Sequence, residues 1–362
     1  MNDQLTEVYA SIDALIDYAL AHLDLDPRSA DWTRNQIFAL FHLDSYPGPK
    51  TTTSAASVSD AVQDIVGSRS QAPSDEKTPD PLLAAFRAAA TTAGLFDPEE
   101  GPAYADTIMG ILSANPADLD DRFLLIEHRD GGMAAMQWFY DYCVANNYVK
   151  RAQLDRNPRF DSHGLTVTIN LAKPEFKNMK KAAAGNAVSG GYPKCTICHE
   201  NEGFAGRDKR TLRTLPVTLG GESWFWQFSP YGYFDQHGIC VNTDHTPMHV
   251  DRDTFGHLLD FVDRFPGYFL GCNAALPRIG GSVLAHDHYQ GGGELLPMHK
   301  AATWAAFTLA DYPDAVVEIL DWPGTAVRVV SKNRQSIIDV SDIIREAWVG
   351  YDDEIGRASC RE

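Results

Sequence analysis

Positive charge is scarce in this chain. Its 362 residues carry 31 Lys+Arg against 49 Asp+Glu, a net charge of −18 with a pI near 5.0. That balance gives no overall attraction for nucleic acid or an anionic membrane, although a local basic site for a phosphorylated small molecule stays open. Long apolar runs are missing too: no stretch reaches the ~18 consecutive apolar residues of a membrane span. The first residues, Met1-Asn2-Asp3-Gln4-Leu5-Thr6-Glu7, lack the basic start of a signal peptide, so the expected compartment is the cytoplasm. Cysteine is sparse and scattered, at positions 143, 195, 198, 240, 272 and 360. In a cytoplasmic chain of this size it reads as a set of small buried hydrophobes, not a disulfide framework; the pair at 195 and 198 is the exception.

What is present is that of an ordinary globular protein. Hydrophobic residues make up 44% and charged residues 22%, and the length suggests roughly two domains able to bury a sizeable core unaided. The first ~150 residues read as helical. Leu5, Val8, Ile12, Leu15, Ile16, Ala19 and Leu23 recur at helical spacing, and further helices are expected over Trp32–His42, Pro81–Leu95, Tyr104–Leu112 and Met133–Asn146. Residues 44–80, rich in Ser, Thr, Pro and Lys, read as an exposed loop or linker with a short helical patch at Ala55–Val66. No internal repeat is evident.

The texture changes near 157. Leu165, Val167 and Ile169 alternate with polar residues, a strand signature. Strands are expected at Thr211–Leu219, Ser223–Ser229, Phe234–Asn242, Tyr268–Asn273, Ser282–Gln290, Val316–Leu320 and Ala326–Val330. One helix, capped by Asp251 or Asp253, interrupts them. The expected class is α+β: a helical N-terminal region followed by an antiparallel sheet domain.

Three segments carry chemistry. Cys195-Thr-Ile-Cys198 lets two thiolates hold one soft cation from a single turn. Gly280-Gly-Ser-Val-Leu-Ala-His286-Asp-His288-Tyr-Gln290-Gly-Gly-Gly293, if a strand over Ser282–Gln290, puts His286, His288 and Gln290 on one face. Its flanking glycines allow backbone to approach a ligand closely. Cys240-Val-Asn-Thr-Asp-His245-Thr-Pro-Met-His249 supplies in His245 a fourth member for a Cys-Cys-His-His metal site.

In this order the segments resemble the class II galactose-1-phosphate uridylyltransferases, a branch of the histidine-triad superfamily. The likeness runs from about 157 to 300. It also rests on Leu165-Thr-Val-Thr-Ile-Asn-Leu-Ala-Lys-Pro174, Tyr192-Pro-Lys-Cys-Thr-Ile-Cys198, Ser229-Pro-Tyr-Gly-Tyr-Phe234, His245-Thr-Pro-Met248 and Phe265-Pro-Gly-Tyr-Phe-Leu-Gly-Cys-Asn-Ala-Ala-Leu-Pro277. The resemblance implies a histidine-triad-like catalytic domain over 151–300, after a helical region over 1–150 and before the start of a C-terminal part over 301–362. It implies exchange of a uridylyl group between UDP-glucose and galactose 1-phosphate through a covalent uridylyl-histidine. His288 is then the nucleophile, and Gln290 a donor to a phosphoryl oxygen. Asn273, Arg213 and Arg159 are implied as substrate contacts. By likeness to the class I enzymes, Cys195, Cys198, His245 and His286 would hold a structural zinc. UDP-glucose, UDP-galactose and hexose 1-phosphate are the implied partners, with no nucleic acid or membrane, and a homodimer is expected.

Two departures stand out. Position 272 is Cys where the family has Ser. The tail from Asp352 to Glu362 has no apolar period and no family likeness, so the chain is expected to be cut short at its C-terminal part. Besides a non-enzymatic reading, in which the shortened chain is merely a zinc-braced binding module, two rivals remain. One is another histidine-triad nucleotidyl phosphorylase or hydrolase. The other is a cupin-type metal-binding barrel in which His286, His288 and Glu294 share a metal.

Overall fold

A computed structural model describes residues 3–48, 78–171, 191–276, 283–353 and 358–359. The helical patch expected at Ala55–Val66 lies outside these residues. The chain divides into two compact units that interleave in sequence: one of 1–121, 138–152 and 202–213, the other of 122–137, 153–201 and 214–362.

The helical unit contains α1 (Asp3–His22), α2 (Ala30–Leu40), α3 (Asp80–Thr92) and α4 (Gly101–Leu112). The apolar stripe read from Val8 to Leu23 forms part of its buried core, joined by Ile37, Phe86, Ile108 and Met109. Two helices, α5 (Pro116–Asp130) and α6 (Gly132–Ala145), contribute residues to both units. The sequence reading misses α5. Leu119, Phe123 and Ile126 form its buried stripe, but Leu124 and Leu125 are exposed beside them and blur the period.

The second unit holds the sheets, so the molecule is α+β with a helical N-terminal region followed by antiparallel sheets. A hairpin, β1 (Arg159–Ser162) and β2 (Leu165–Thr168), stands by itself. The main sheet comprises β3 (Leu215–Leu219), β4 (Glu222–Phe228), β5 (Gly238–Asn242), β6 (Phe269–Gly271) and β7 (His288–Gly292), in the order β3-β4-β5-β7-β6, all antiparallel. Between β5 and β6 runs α7 (Arg252–Arg264). Asp251 is its cap, accepting from the Thr254 amide, while the Thr254 hydroxyl accepts from the Asp251 amide. Trp226 on β4 packs against Phe261 of α7 (5.0 Å between rings), so one sheet face is closed by this helix.

A second sheet comprises β8 (Thr303–Leu309), β9 (Tyr312–Leu320) and β10 (Val327–Val330), in the order β10-β9-β8. It is followed by α8 (Arg334–Val349), which packs on β9 and against α7. The repeat missing from the sequence is present in the architecture: a hairpin, a third strand on it, then a helix, made once as β3-β4-β5-α7 and again as β8-β9-β10-α8. The sequence reading misses β8, whose side chains are mostly exposed and show no alternation, and α8, where Ile337, Ile338 and Val340 lower helix propensity.

Candidate active site

Alternation along β7 sends His288 and Gln290 to one face and Tyr289 to the other. Tyr289 stacks on Trp224 (4.7 Å, 15°), and its hydroxyl lies 3.0 Å from His257 Nδ1 on α7. His288 and Gln290 therefore occupy the face turned away from that helix, paired with Val241 and Ile239 of β5. The expected strand over Ser282–Gln290 is shorter than read: it starts at His288, and Ser282 lies outside the described residues. His286 sits in a turn before it, closed by its amide on the Val283 carbonyl (3.4 Å), so it shares no strand face with His288.

His288 is buried. Its Nδ1–H donates to the His286 carbonyl at 2.8 Å. A carbonyl can only accept, so this bond fixes the tautomer and leaves the Nε2 lone pair available. Burial pushes the pKa of His288 down, which keeps the imidazole neutral near neutral pH. A neutral, oriented imidazole nitrogen is a competent nucleophile toward phosphorus.

Beside it, Cys195, Cys198, His245 and His286 converge, their donor atoms all within 4.8 Å of one another. The two Sγ atoms are 3.3 Å apart; His286 Nδ1 lies 3.2 Å from Cys195 Sγ, and His245 Nδ1 lies 3.2 Å from Cys198 Sγ. These edges are slightly tighter than the about 3.5–3.8 Å expected between sulfur and nitrogen donors arranged tetrahedrally around zinc. His286 turns its other nitrogen, Nε2, to the Asn242 carbonyl (2.8 Å), the outward bond that orients a ligating histidine. The Cys195 amide donates to Cys198 Sγ (3.2 Å), and Asn201 donates to both cysteine carbonyls, at 2.8 and 2.9 Å. Without a cation, burial pushes the Cys198 thiol well up. These four side chains form a group able to hold a metal ion.

Asp287, between the two histidines in sequence, is fully buried. Burial raises its pKa to about 6, and its Oδ2 lies 3.6 Å from His249 Nδ1.

On the His288 face a cleft of about 850 Å³ opens, lined by Gln290, Asn273, Arg159, Tyr233, Phe234 and Phe269 among others. Arg159 reaches it from β1 and makes a two-point bond with Glu294, at 2.5 and 3.0 Å. Glu294 also accepts from the Asp235 amide (3.0 Å). Arg213 falls in the helical unit, buried. Its Nε donates to the Ala114 carbonyl and its Nη1 to those of Arg210 and Leu212, so most of the guanidinium is held by backbone and less of it is free for a phosphate than expected.

Two glycines end β7, one on each face. A Cβ on Gly291 would collide with the Phe269 carbonyl of β6, and one on Gly292 with the Phe234 ring and the Asp235 carbonyl. The absence of side chains lets β6 and the 229–237 segment lie against this strand. The sequence reading misses two residues that shape the site. Asn201, three positions after Cys198, braces the cysteine turn. His237, three positions after the Ser229–Phe234 motif but outside it, reaches Gln290.

Comparisons with known proteins place the chain in a family. Residues 70–247 match the model of the family described as galactose-1-phosphate uridyl transferase, N-terminal domain. A galactose-1-phosphate uridylyltransferase of Bifidobacterium longum subsp. longum is 98% identical over 353 residues, covering 98% of this chain and 68% of that relative. The chain belongs to the galactose-1-phosphate uridylyltransferase family. More distant members bear the same name. That of Streptococcus mutans is 38% identical over 264 residues (71% of this chain, 54% of the relative), and that of Fusobacterium nucleatum 33% over 356 (96% and 66%). The chain thus spans between about half and two thirds of the length of these family members. No solved structure matches it. The family is one of transferases, and the cupin reading falls with this assignment. Its geometry fails as well: Glu294 is bound to Arg159, and His286 turns to the thiols while His288 turns to a backbone carbonyl. Among the described residues no helix is long and apolar enough to cross a membrane.

Proposed function

We propose that the chain carries the nucleotidyl half of a uridylyl exchange between UDP-glucose and galactose 1-phosphate, in two displacements on His288. The observation that carries this reading is the fixed tautomer of a buried imidazole on the same strand face as Gln290, which lines a cleft large enough for a nucleotide sugar. His288 Nε2 attacks the α-phosphorus of UDP-glucose. An N–P bond forms, the P–O bond to glucose 1-phosphate breaks, and glucose 1-phosphate leaves with the electron pair. The Nδ1 proton stays in place, and the His286 carbonyl that accepts it also offsets the positive charge of the modified ring. Galactose 1-phosphate then attacks the same phosphorus, releasing UDP-galactose and restoring the imidazole. Gln290 donates to a phosphoryl oxygen as charge grows there. Asn273 and Arg159 line the sugar-nucleotide cleft; Arg159 exchanges part of its bond with Glu294 for a phosphate.

Cys195, Cys198, His245 and His286 would hold a zinc ion. Two thiols and two imidazoles, closed on each other and away from the cleft residues, suit a structural metal whose bonding chemistry is purely that of a brace. A reducing cytoplasm fits thiols that form no disulfide, and a homodimer is the assembly expected of this reading.

The test is incubation of the chain with UDP-glucose, followed by intact-mass and peptide mapping. Release of glucose 1-phosphate with one uridylyl group on His288, absent from His288→Gly, supports the reading. An adduct with an adenine nucleotide and none with UDP-glucose replaces it with another histidine-triad nucleotidyl transfer.

A further inference from the structure

Gln290 has an amide with two unlike ends, and only the NH₂ end can stabilise negative charge on a phosphoryl oxygen. Something must decide which end faces the cleft. We propose that His237 is the positioning residue that makes this choice, donating from Nε2–H to Gln290 Oε1 and thereby presenting the amide nitrogen to the transferring group. The inference rests on the uridylyl-transfer reading above and adds to it a residue that touches no substrate.

The geometry is specific. His237 Nε2 lies 3.4 Å from Gln290 Oε1, and Gln290 lines the cleft. His237 is buried just ahead of β5. Its ring is boxed by Phe234 (4.3 Å) and Tyr233 (4.9 Å). The box is built by the motif Ser229-Pro-Tyr-Gly-Tyr-Phe234, whose Tyr233 and Phe234 also line the cleft. The Ser229 amide donates to the His237 carbonyl at 2.7 Å, closing the segment into a loop. Gly232 lets that loop pass under the imidazole, since a Cβ there would sit 2.7 Å from the His237 Cβ. Phe234 in turn rests on Gly292 and lies 5.3 Å from Phe269. The loop is therefore anchored on β7, which carries Gln290, and on the neighbouring β6, and holds the ring against the amide.

A packing role and an orienting role predict different things. His237→Phe keeps a ring between Tyr233 and Phe234 but removes the donor. His237→Gln can place an amide nitrogen where the imidazole Nε2 stood. The readout is the rate of His288 uridylylation by UDP-glucose, followed across substrate concentration. His237→Phe is expected to slow the maximal rate about tenfold, the worth of one oriented hydrogen bond, with little change in the half-saturating concentration. His237→Gln is expected to recover most of that loss. In a Gln290→Ala background, His237→Phe should cost nothing further. Unchanged rates in His237→Phe, failure of His237→Gln to recover, or an additional tenfold loss in the Gln290→Ala background would each overturn the proposal. A second measurement is independent of activity: ¹⁵N spectra of the histidine-labelled chain should show His237 as the Nε2–H tautomer, and an Nδ1–H tautomer overturns the orientation. If the unsubstituted chain forms no uridylyl adduct, the transfer reading fails, while the tautomer still decides how the amide is held.

Discussion

The five-stranded and three-stranded sheets start alike, with a hairpin, a third strand on its open edge and a helix after it. They then diverge. In the first sheet β7 adds to the far edge of β5 and brings His288 and Gln290 with it; the buried hairpin strand β4 contributes Trp224, Trp226 and Phe228 to a closed core. In the second, β10 is an edge and β8 presents Trp304, 75% exposed, and Phe307 to the outside of the described structure. The shared framework is thus neutral with respect to chemistry. What sets the first sheet apart is the short, glycine-rich strand added last, which carries the candidate site and is held at its start by a cluster of thiols and imidazoles.

Substitutions test that contrast. The largest effect is expected at His288: His288→Ala should lower uridylylation by on the order of a thousandfold or more while leaving the denaturant midpoint close to that of the parent. Next, the purified chain should carry one equivalent of metal, and Cys195→Ser should lose it and melt at a clearly lower temperature. Full metal content in Cys195→Ser would remove the brace from the comparison. Trp226→Ala, in the closed core, should cost about 3–5 kcal/mol in equilibrium unfolding. A smaller loss, of about 1–3 kcal/mol, is expected for Gly291→Ala, where the new methyl must push β6 away from β7; hydrogen exchange should place the loosened amides on those two strands. Trp304→Ala should change stability by less than about 0.5 kcal/mol. A loss as large as that of Trp226→Ala would mean that the second sheet is covered after all, and the contrast would collapse.

Much of this was legible in the sequence, for reasons that differ by element. The helix α1 is readable because its apolar residues repeat cleanly, and α7 because Asp251 caps a strongly two-faced segment. Cys195, Cys198, His245 and His286 are grouped in the sequence by likeness to the class I enzymes, and the structure brings those four together. The sequence misplaces the start of β7 because His286-Asp287-His288 alternates as a strand would, while its backbone is committed elsewhere. The Asp287 amide donates to the Thr246 carbonyl, and its carbonyl accepts from the Asn242 amide. Nothing local records those partners. Arg213 shows the same limit: its composition suits a phosphate, but three carbonyls distant or adjacent in sequence claim it first. His237 was invisible because its significance lies wholly in what folds against it.

The two glycines that end β7 also constrain how this chain can vary. Any single-nucleotide change in a glycine codon that alters the residue brings in a Cβ. At 291 and 292 that atom meets backbone carbonyls of neighbouring segments, which cannot swing aside as a side chain would. No one-step missense route leads away from glycine at these positions without moving the strand that carries His288. Inherited variation there should therefore be confined to silent changes, whereas the open face around Trp304 and Phe307 is free to drift.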